Sequence, residues 1–198
     1  MKKRFDNNRV ALCGLLLSMM LILGWVEKQI PSPPGVKLGL SNSVLIFAVY
    51  MLDIPTSYLL MVLKVTLSNL LFGNFGTTFF IGFGGGLLSL TAMVLLSRVK
   101  GVHIVTVSMI GGAMHNAGQI VTLMLLGNQS MIVALPGLML TGLGFGLLTG
   151  VCADRVIRLM RPGLMRRMGL KAKPQAPRKD TEDAPRKDTG DAPRKDAE

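Results

Sequence analysis

The sequence predicts an all-α integral membrane protein, a compact bundle of six transmembrane helices with a disordered cytoplasmic tail. Two observations predict it: six apolar stretches follow one another, and basic residues gather at a few places between and beyond them. A helix needs about 17 to 25 mostly apolar residues to cross a hydrocarbon core. The six stretches approach that length and cover residues 10–26, 36–52, 57–72, 79–97, 102–126 and 131–153.

The chain divides into four parts by composition. Residues 1–9 form a basic N-terminus that we place in the cytoplasm, and residues 10–160 form the six-helix membrane domain. Residues 161–175 form a basic juxtamembrane segment suited to contact with anionic lipids. Residues 176–198 repeat APRKDTED, APRKDTGD and APRKDAE without a large apolar side chain. Such a segment buries too little surface to offset its ordering entropy, so we expect a disordered tail.

The net charge of +11 raises the question of nucleic-acid binding. The basic residues flank apolar spans, however, and anionic lipid headgroups are their natural partners in that position. We therefore expect no nucleic-acid partner. The two cysteines, Cys13 and Cys152, are too few to form a metal cluster, and we expect no metal site and no cofactor.

Polar residues inside apolar helices are functional candidates, because hydrocarbon excludes charges and amides. Lys64 lies midway along the third stretch, with Ser68 and Asn69 on roughly the same helical face. The fifth stretch carries His115, Asn116 and Gln119, with Thr122 one turn later. This second group indicates either recognition of a polar ligand or hydrogen bonds that hold helices together.

The first outer loop and the start of the second stretch add two more candidates. The loop is rich in Pro and Gly and carries Lys37, and Asn42 follows as the chain re-enters the bilayer. The loop is either a lid over a binding site or a plain connector. The predicted ligand-binding set is Lys37, Asn42, Lys64, Asn69, His115, Asn116 and Gln119.

Small residues recur every four positions on three of the stretches. They are Gly14 with Ser18, Gly82 with Gly86, and Gly142 with Gly146 and Gly150. Such spacing lets helix backbones approach closely in lipid. The stripes serve either the internal packing of one bundle or the docking of another membrane subunit.

Three motifs resemble those of a known family. They are PGVKLGLSN at 34–42, KVTLSNLLFG at 64–73, where the family pattern leads us to expect Arg in place of Lys64, and HNAGQ at 115–119. Together they are similar to the Gx transporter family, also labelled heptaprenyl diphosphate synthase component I, over about residues 9–158. The resemblance implies a relationship to the S components of energy-coupling factor transporters, which capture a small solute at the outer face. It also implies a membrane scaffold subunit and two cytoplasmic ATPases as partners, with Ala11, Gly14 and Ser18 nearest to the family's scaffold-contact pattern.

The function expected on these grounds is a transporter component that captures a small polar or amphipathic solute from the outer side of the cytoplasmic membrane. The alternative is an accessory membrane subunit in polyprenyl diphosphate or menaquinone metabolism, or in flavin-linked extracellular electron transfer. We do not expect an enzyme, because prenyl chain elongation needs Mg²⁺ held by clustered carboxylates. The membrane domain has no run of the DDxxD type.

The cations predict that both termini lie in the cytoplasm, by the positive-inside rule. Reporter fusions at each terminus should both report cytoplasm, and an outward C-terminus would contradict the six-crossing topology. With six crossings, Lys28 and Lys37 are the only loop cations that fall on the outer side. The thirteen on the inner side are Lys2, Lys3, Arg4, Arg9, Arg98, Lys100, Arg155, Arg158, Arg161, Arg166, Arg167, Lys171 and Lys173.

Deletion of residues 174–198 should leave folding and ligand binding unchanged. The segment has six Lys or Arg, seven Asp or Glu and no apolar anchor, so nothing in it favours docking on the bundle. Thermal melting of the solubilised truncation measures this. A large fall in Tm would show that the repeat packs against the membrane domain.

Overall fold

The fold comes from a computed structural model, which describes residues 7–31, 40–72 and 75–159. Among these residues the secondary structure is entirely helical, which confirms the predicted all-α class. The predicted tail, the juxtamembrane segment and Lys37 lie outside the described residues. The helices are α1 (Asn7–Lys28), α2 (Leu40–Ser43), α3 (Leu45–Met51), α4 (Ile54–Leu71), α5 (Thr77–Leu96), α6 (Ile104–Leu125) and α7 (Leu135–Leu159), with a 3₁₀ turn at Gln129–Ala134 before α7.

Four segments of the described chain are long and apolar enough to cross a membrane. They are Arg9–Lys28, Ile54–Leu71, Thr77–Leu96 and Gln129–Leu159, the first, third, fourth and sixth predicted crossings. α6 has 22 residues, but His115, Asn116 and Gln119 make it more polar. These findings are consistent with the predicted membrane protein, and the count of six crossings stays a prediction.

The second predicted crossing differs from the single helix expected at 36–52. Its described part consists of α2, with four residues, and α3, with seven. At the break the Phe47 N–H donates to the Val44 carbonyl at 3.1 Å, a bond to the third residue back rather than the fourth. Just before the break, Ser41 and Asn42 bond to side chains on other helices. Ser and Asn side chains commonly form hydrogen bonds that compete with regular helix, and they are often found where a helix is interrupted.

The α2–α3 segment runs antiparallel to α1. At its start the Ser41 hydroxyl contacts Glu27 at 3.2 Å, and just beyond its end Asp53 accepts from Arg9 at 2.8 Å. α3 is the most enclosed helix, since all of its residues except Phe47 are buried. Its apolar side chains form the centre of the core, with α1, α4 and α5 around it.

The long helices alternate in direction, so their ends gather in two groups. Lys28 lies over the Phe72 ring at 4.2 Å, and we call this end of the bundle the Lys28 end. The Arg9–Asp53 ion pair marks the other, or Arg9, end. α4 and α5 are antiparallel. Tyr58, near the start of α4, lies at hydrogen-bond distance from Thr91 near the end of α5, and Val65, later in α4, lies beside Gly82 near the start of α5. The turn between α5 and α6 therefore returns to the Arg9 end.

α6 is packed between α5 and α7, with glycines at both contacts. Toward α5, a Cβ added at Gly118 would lie 2.8 Å from the Gly84 carbonyl oxygen. Toward α7, a Cβ added at Gly146 would lie 2.6 Å from the Ser108 carbonyl oxygen. Side chains at these positions would separate the backbones. Of the two interpretations of the α7 glycine stripe, internal packing of the bundle is therefore the one that the structure favours. Gly142, Gly146 and Gly150 are buried against α6.

Replacing Gly146 by Ala should destabilise the protein by roughly 1 to 3 kcal/mol, because a Cβ there overlaps the backbone of α6. Gly144→Ala is the matched control on the same helix, where a Cβ would have nothing within 4 Å. Thermal melting in detergent should show a lowered Tm for Gly146→Ala and an unchanged or slightly raised Tm for Gly144→Ala. Equal effects would contradict the close α6–α7 contact.

Candidate functional site

A small polar cavity lies inside the bundle where five helices meet. It has a volume of about 20 Å³, enough for a water molecule. α1, α2, α4, α5 and α6 each contribute to its wall. The lining residues are Gly24, Ser41, Lys64, Val65, Ser68, Asn69, Gly82 and His115.

Lys64 is the cation of this cavity. Its side chain is only 7% exposed, so it does not lie on the outer surface of α4. Ser68 and Asn69 line the same cavity, as their spacing on one helical face predicts. A buried ammonium requires polar surroundings, because its transfer from water into an apolar interior is costly. The cavity therefore groups polar atoms around a charge that the sequence places at mid-helix.

Asn69 presents an unsatisfied acceptor at the cavity. Its Nδ2 donates to the Val65 carbonyl at 2.7 Å, and its Oδ1 has no hydrogen-bond partner although the residue is 1% exposed. The bond to Val65 sets the orientation of the amide, since a carbonyl accepts only from the NH₂ group. Asn69 therefore calls for an N–H or O–H donor.

His115 joins the cavity from α6, and Gln119 supports it. Nε2 of Gln119 lies 2.7 Å from Nε2 of His115. As oriented, the amide donates to the ring, so a neutral imidazole carries its hydrogen on Nδ1. Gln119 is fully buried but does not line the cavity. Gly85 permits this arrangement, because a Cβ there would lie 2.7 Å from the Gln119 side chain.

Asn116 does not share the cavity with His115, although the two are adjacent in sequence. Its Nδ2 donates to the Leu138 carbonyl on α7, so it faces α7 rather than the cavity. Neighbouring helical residues point about 100° apart, which separates the two side chains. Both residues belong to the predicted ligand-binding set, but the contacts of Asn116 are those of an interhelical packing group.

Asn42 also lies beside the cavity rather than in its wall. Its Nδ2 donates to Ser89 Oγ at 2.8 Å, and Ser89 donates in turn to the Gly111 carbonyl at 2.7 Å. Because Ser89 donates its only hydrogen to that carbonyl, its oxygen must accept from Asn42. This buried chain joins α2, α5 and α6 next to the cavity.

Glu27 is a member of the site that the sequence argument missed. Glu27 is absent from the predicted ligand-binding set, because it stands at the end of a helix. Glu27 is only 4% exposed, and the Ser41 hydroxyl, which lines the cavity, donates to its Oε2 at 3.2 Å. The sequence signal was its position: Glu27 follows Gly24 by three residues and so lies on the same face of α1.

The remaining predicted residues lie elsewhere. Ala11, Gly14 and Ser18 are exposed along α1, and a Cβ at Gly14 would have nothing within 4 Å. This face is open to a partner helix, and its role as a subunit contact stays a prediction. No group of three potential metal ligands occurs among residues 7–31, 40–72 and 75–159.

A family model agrees with the resemblance seen in the sequence. The model described as heptaprenyl diphosphate synthase component I matches residues 16–156. This range includes every residue of the cavity wall. No curated protein and no solved structure gives a significant match to the chain.

Proposed function

The chain belongs to the heptaprenyl diphosphate synthase component I family, and from this premise we propose that it is the membrane-embedded solute-binding component of a transporter. The proposal is that it captures a small polar or amphipathic solute in the cavity around Lys64, entering from the Lys28 end. The capture site would then resemble that of the S components of energy-coupling factor transporters.

The observation that carries this proposal is the burial of Lys64 in a polar cavity that several helices share. A lysine placed only to pack would cost stability, since an ammonium at mid-membrane costs on the order of 2.5 to 3.5 kcal/mol. Asn69 contributes an acceptor and His115 a ring to the same space. Convergent polar groups in an otherwise apolar bundle are typical of ligand sites in membrane proteins.

A solute requires more room than the cavity offers in this conformation. The space of about 20 Å³ holds a water molecule, not a vitamin-sized solute. α1 is the most peripheral of the wall helices, with most of its surface exposed. We therefore place the opening at α1 and α2, whose Gly24 and Ser41 form one side of the wall. Their movement away from α4 would enlarge the cavity toward the Lys28 end.

Energy for transport would come from other subunits in this proposal. A membrane scaffold subunit and two cytoplasmic ATPases are the partners that the transporter reading implies. The exposed small-residue face of α1, with Ala11, Gly14 and Ser18, is where a scaffold helix could approach closely. α1 would then be both a wall of the cavity and a contact to the scaffold.

A second candidate function follows from the family description itself. The description names a component of heptaprenyl diphosphate synthase, so the chain could be an accessory membrane subunit of a lipid-forming enzyme or of quinone metabolism. In that role Lys64 would hold the anionic headgroup of a polyprenyl lipid. Both candidates assign Lys64 to an anionic group, and they differ in whether the ligand has a long apolar chain.

Native mass spectrometry of the purified full-length protein tests the proposal by identifying a retained ligand. A small water-soluble solute supports the transporter component, and a polyprenyl phosphate or diphosphate supports the accessory subunit. Protein that retains neither, even when prepared from membranes without added detergent, would contradict a ligand-binding role.

Lys64→Met should weaken binding of the retained ligand by roughly 10- to 100-fold, because a hydrogen bond to a charged group contributes about 1.5 to 3 kcal/mol. The variant should fold normally or melt at a higher Tm, since it removes a buried charge. Lys100→Met is the matched control, an exposed lysine in the turn at the Arg9 end. Unchanged affinity in Lys64→Met would show that Lys64 does not contact the ligand.

A further inference from the structure

The cavity has a second polar region that faces the Lys28 end. Along α4, Asn69 follows Lys64 by five residues, so its Cα lies about 7 Å nearer to that end. A Cβ added at Gly24 would lie 3.6 Å from the Ser41 Cβ and 4.0 Å from the Ser68 Oγ, so Ser41 stands near the residue that precedes Asn69. Glu27 accepts from the Ser41 hydroxyl at 3.2 Å. The cavity wall therefore contains both a cation, on Lys64, and oxygen atoms, on Asn69 and Ser41.

The oxygen atoms of Asn69, Ser41 and Glu27 form a group of acceptors. Asn69 Oδ1 has no partner, and the Asn69 amide cannot turn over without losing its bond to the Val65 carbonyl. The Ser41 hydroxyl gives its hydrogen to Glu27, so its oxygen can only accept any further hydrogen bond. Glu27 itself, as a carboxylate, only accepts. A ligand that fills the cavity must bring N–H or O–H donors to this group.

Charge balance restricts the ligand further. Among the described residues that line the cavity or bond to its wall, Lys64 carries a positive and Glu27 a negative charge, and both are buried. A simple anion bound at Lys64 would give this region a net negative charge, which is costly in a medium of low dielectric constant. A solute with both charges adds none, because its positive group meets the acceptors while its negative group meets Lys64.

We propose that the cavity recognises a small zwitterionic solute, with its anionic group at Lys64 and its ammonium group at Asn69 and the Glu27–Ser41 pair. This inference rests on the proposed function, since it names the chemical class of solute for the same site. In this proposal Glu27 and Asn69 select an amine, whereas Lys64 attracts an acid. A small solute also requires the least opening of a cavity of about 20 Å³.

The test compares three probes of matched size on the full-length protein in phospholipid nanodiscs. β-Alanine carries an acid and an ammonium group, propionate carries only the acid, and propylamine carries only the amine. Thermal melting should show that β-alanine raises the Tm by about 5 °C or more at a concentration near 100 times its Kd. Propionate and propylamine should raise it clearly less.

Glu27→Gln and Ser41→Ala examine the acceptor group. Both should reduce the preference for β-alanine over propionate, by roughly 10-fold for Glu27→Gln, because the glutamine keeps the shape and loses the charge. Asp53→Asn is the matched control, a carboxylate at the Arg9 end of the bundle that bonds to Arg9. It should leave the preference unchanged. The Tm of each variant without ligand reports whether it folds. If Glu27→Gln does not fold, Ser41→Ala alone tests the acceptor group.

The outcomes separate this inference from the proposed function. Equal stabilisation by propionate and β-alanine would overturn the zwitterion while leaving an acid-binding site intact. A preference that persists in both Glu27→Gln and Ser41→Ala would also overturn it. Stabilisation by none of the three probes would exclude small zwitterions, and the ligand retained in native mass spectrometry then decides independently whether the cavity binds a solute.

Discussion

The structure depends on one constraint, that polar groups in an apolar bundle must find their partners inside the protein. A lipid-facing helix surface offers no hydrogen bonds, so charges and amides turn toward other helices. Lys64 and Asn69 turn from α4 to the cavity, His115 turns to it from α6, and Asn116 turns the other way to the carbonyl of Leu138. The arrangement of the helices follows these demands.

Glycine makes the polar contacts possible by bringing backbones together. Gly85 and Gly118 let α5 and α6 approach, and Gly146 does the same for α6 and α7. Small residues at such contacts provide the packing that drives helix association in lipid, where the hydrophobic effect is absent. α6 is held on both sides in this way, so His115 has a defined position in the wall. α1 lacks comparable glycine contacts along most of its length, and most of its surface is exposed.

A site shared by five helices also connects a bound solute to the positions of those helices. A ligand that bridges Lys64 on α4 and Ser41 on α2 would favour the conformation in which these helices hold it. In the transporter reading, such a change could be passed to a scaffold through the exposed face of α1. If the chain is an accessory subunit, the same conformational change would signal to an enzyme partner that a lipid is bound.

The sequence by itself determined the helical class, four candidate membrane spans and the candidate polar residues, because helix length, hydropathy and the rarity of buried charge are local properties. It could also place Lys64, Ser68 and Asn69 on one face, since that needs only the helical period. Tertiary structure decided which residues share a cavity. It separated Asn116 from His115, broke the second apolar stretch at Val44, and buried Glu27 beside Ser41. These outcomes depend on how far one helix is rotated and shifted against another, and packing between distant parts of the chain sets that rotation.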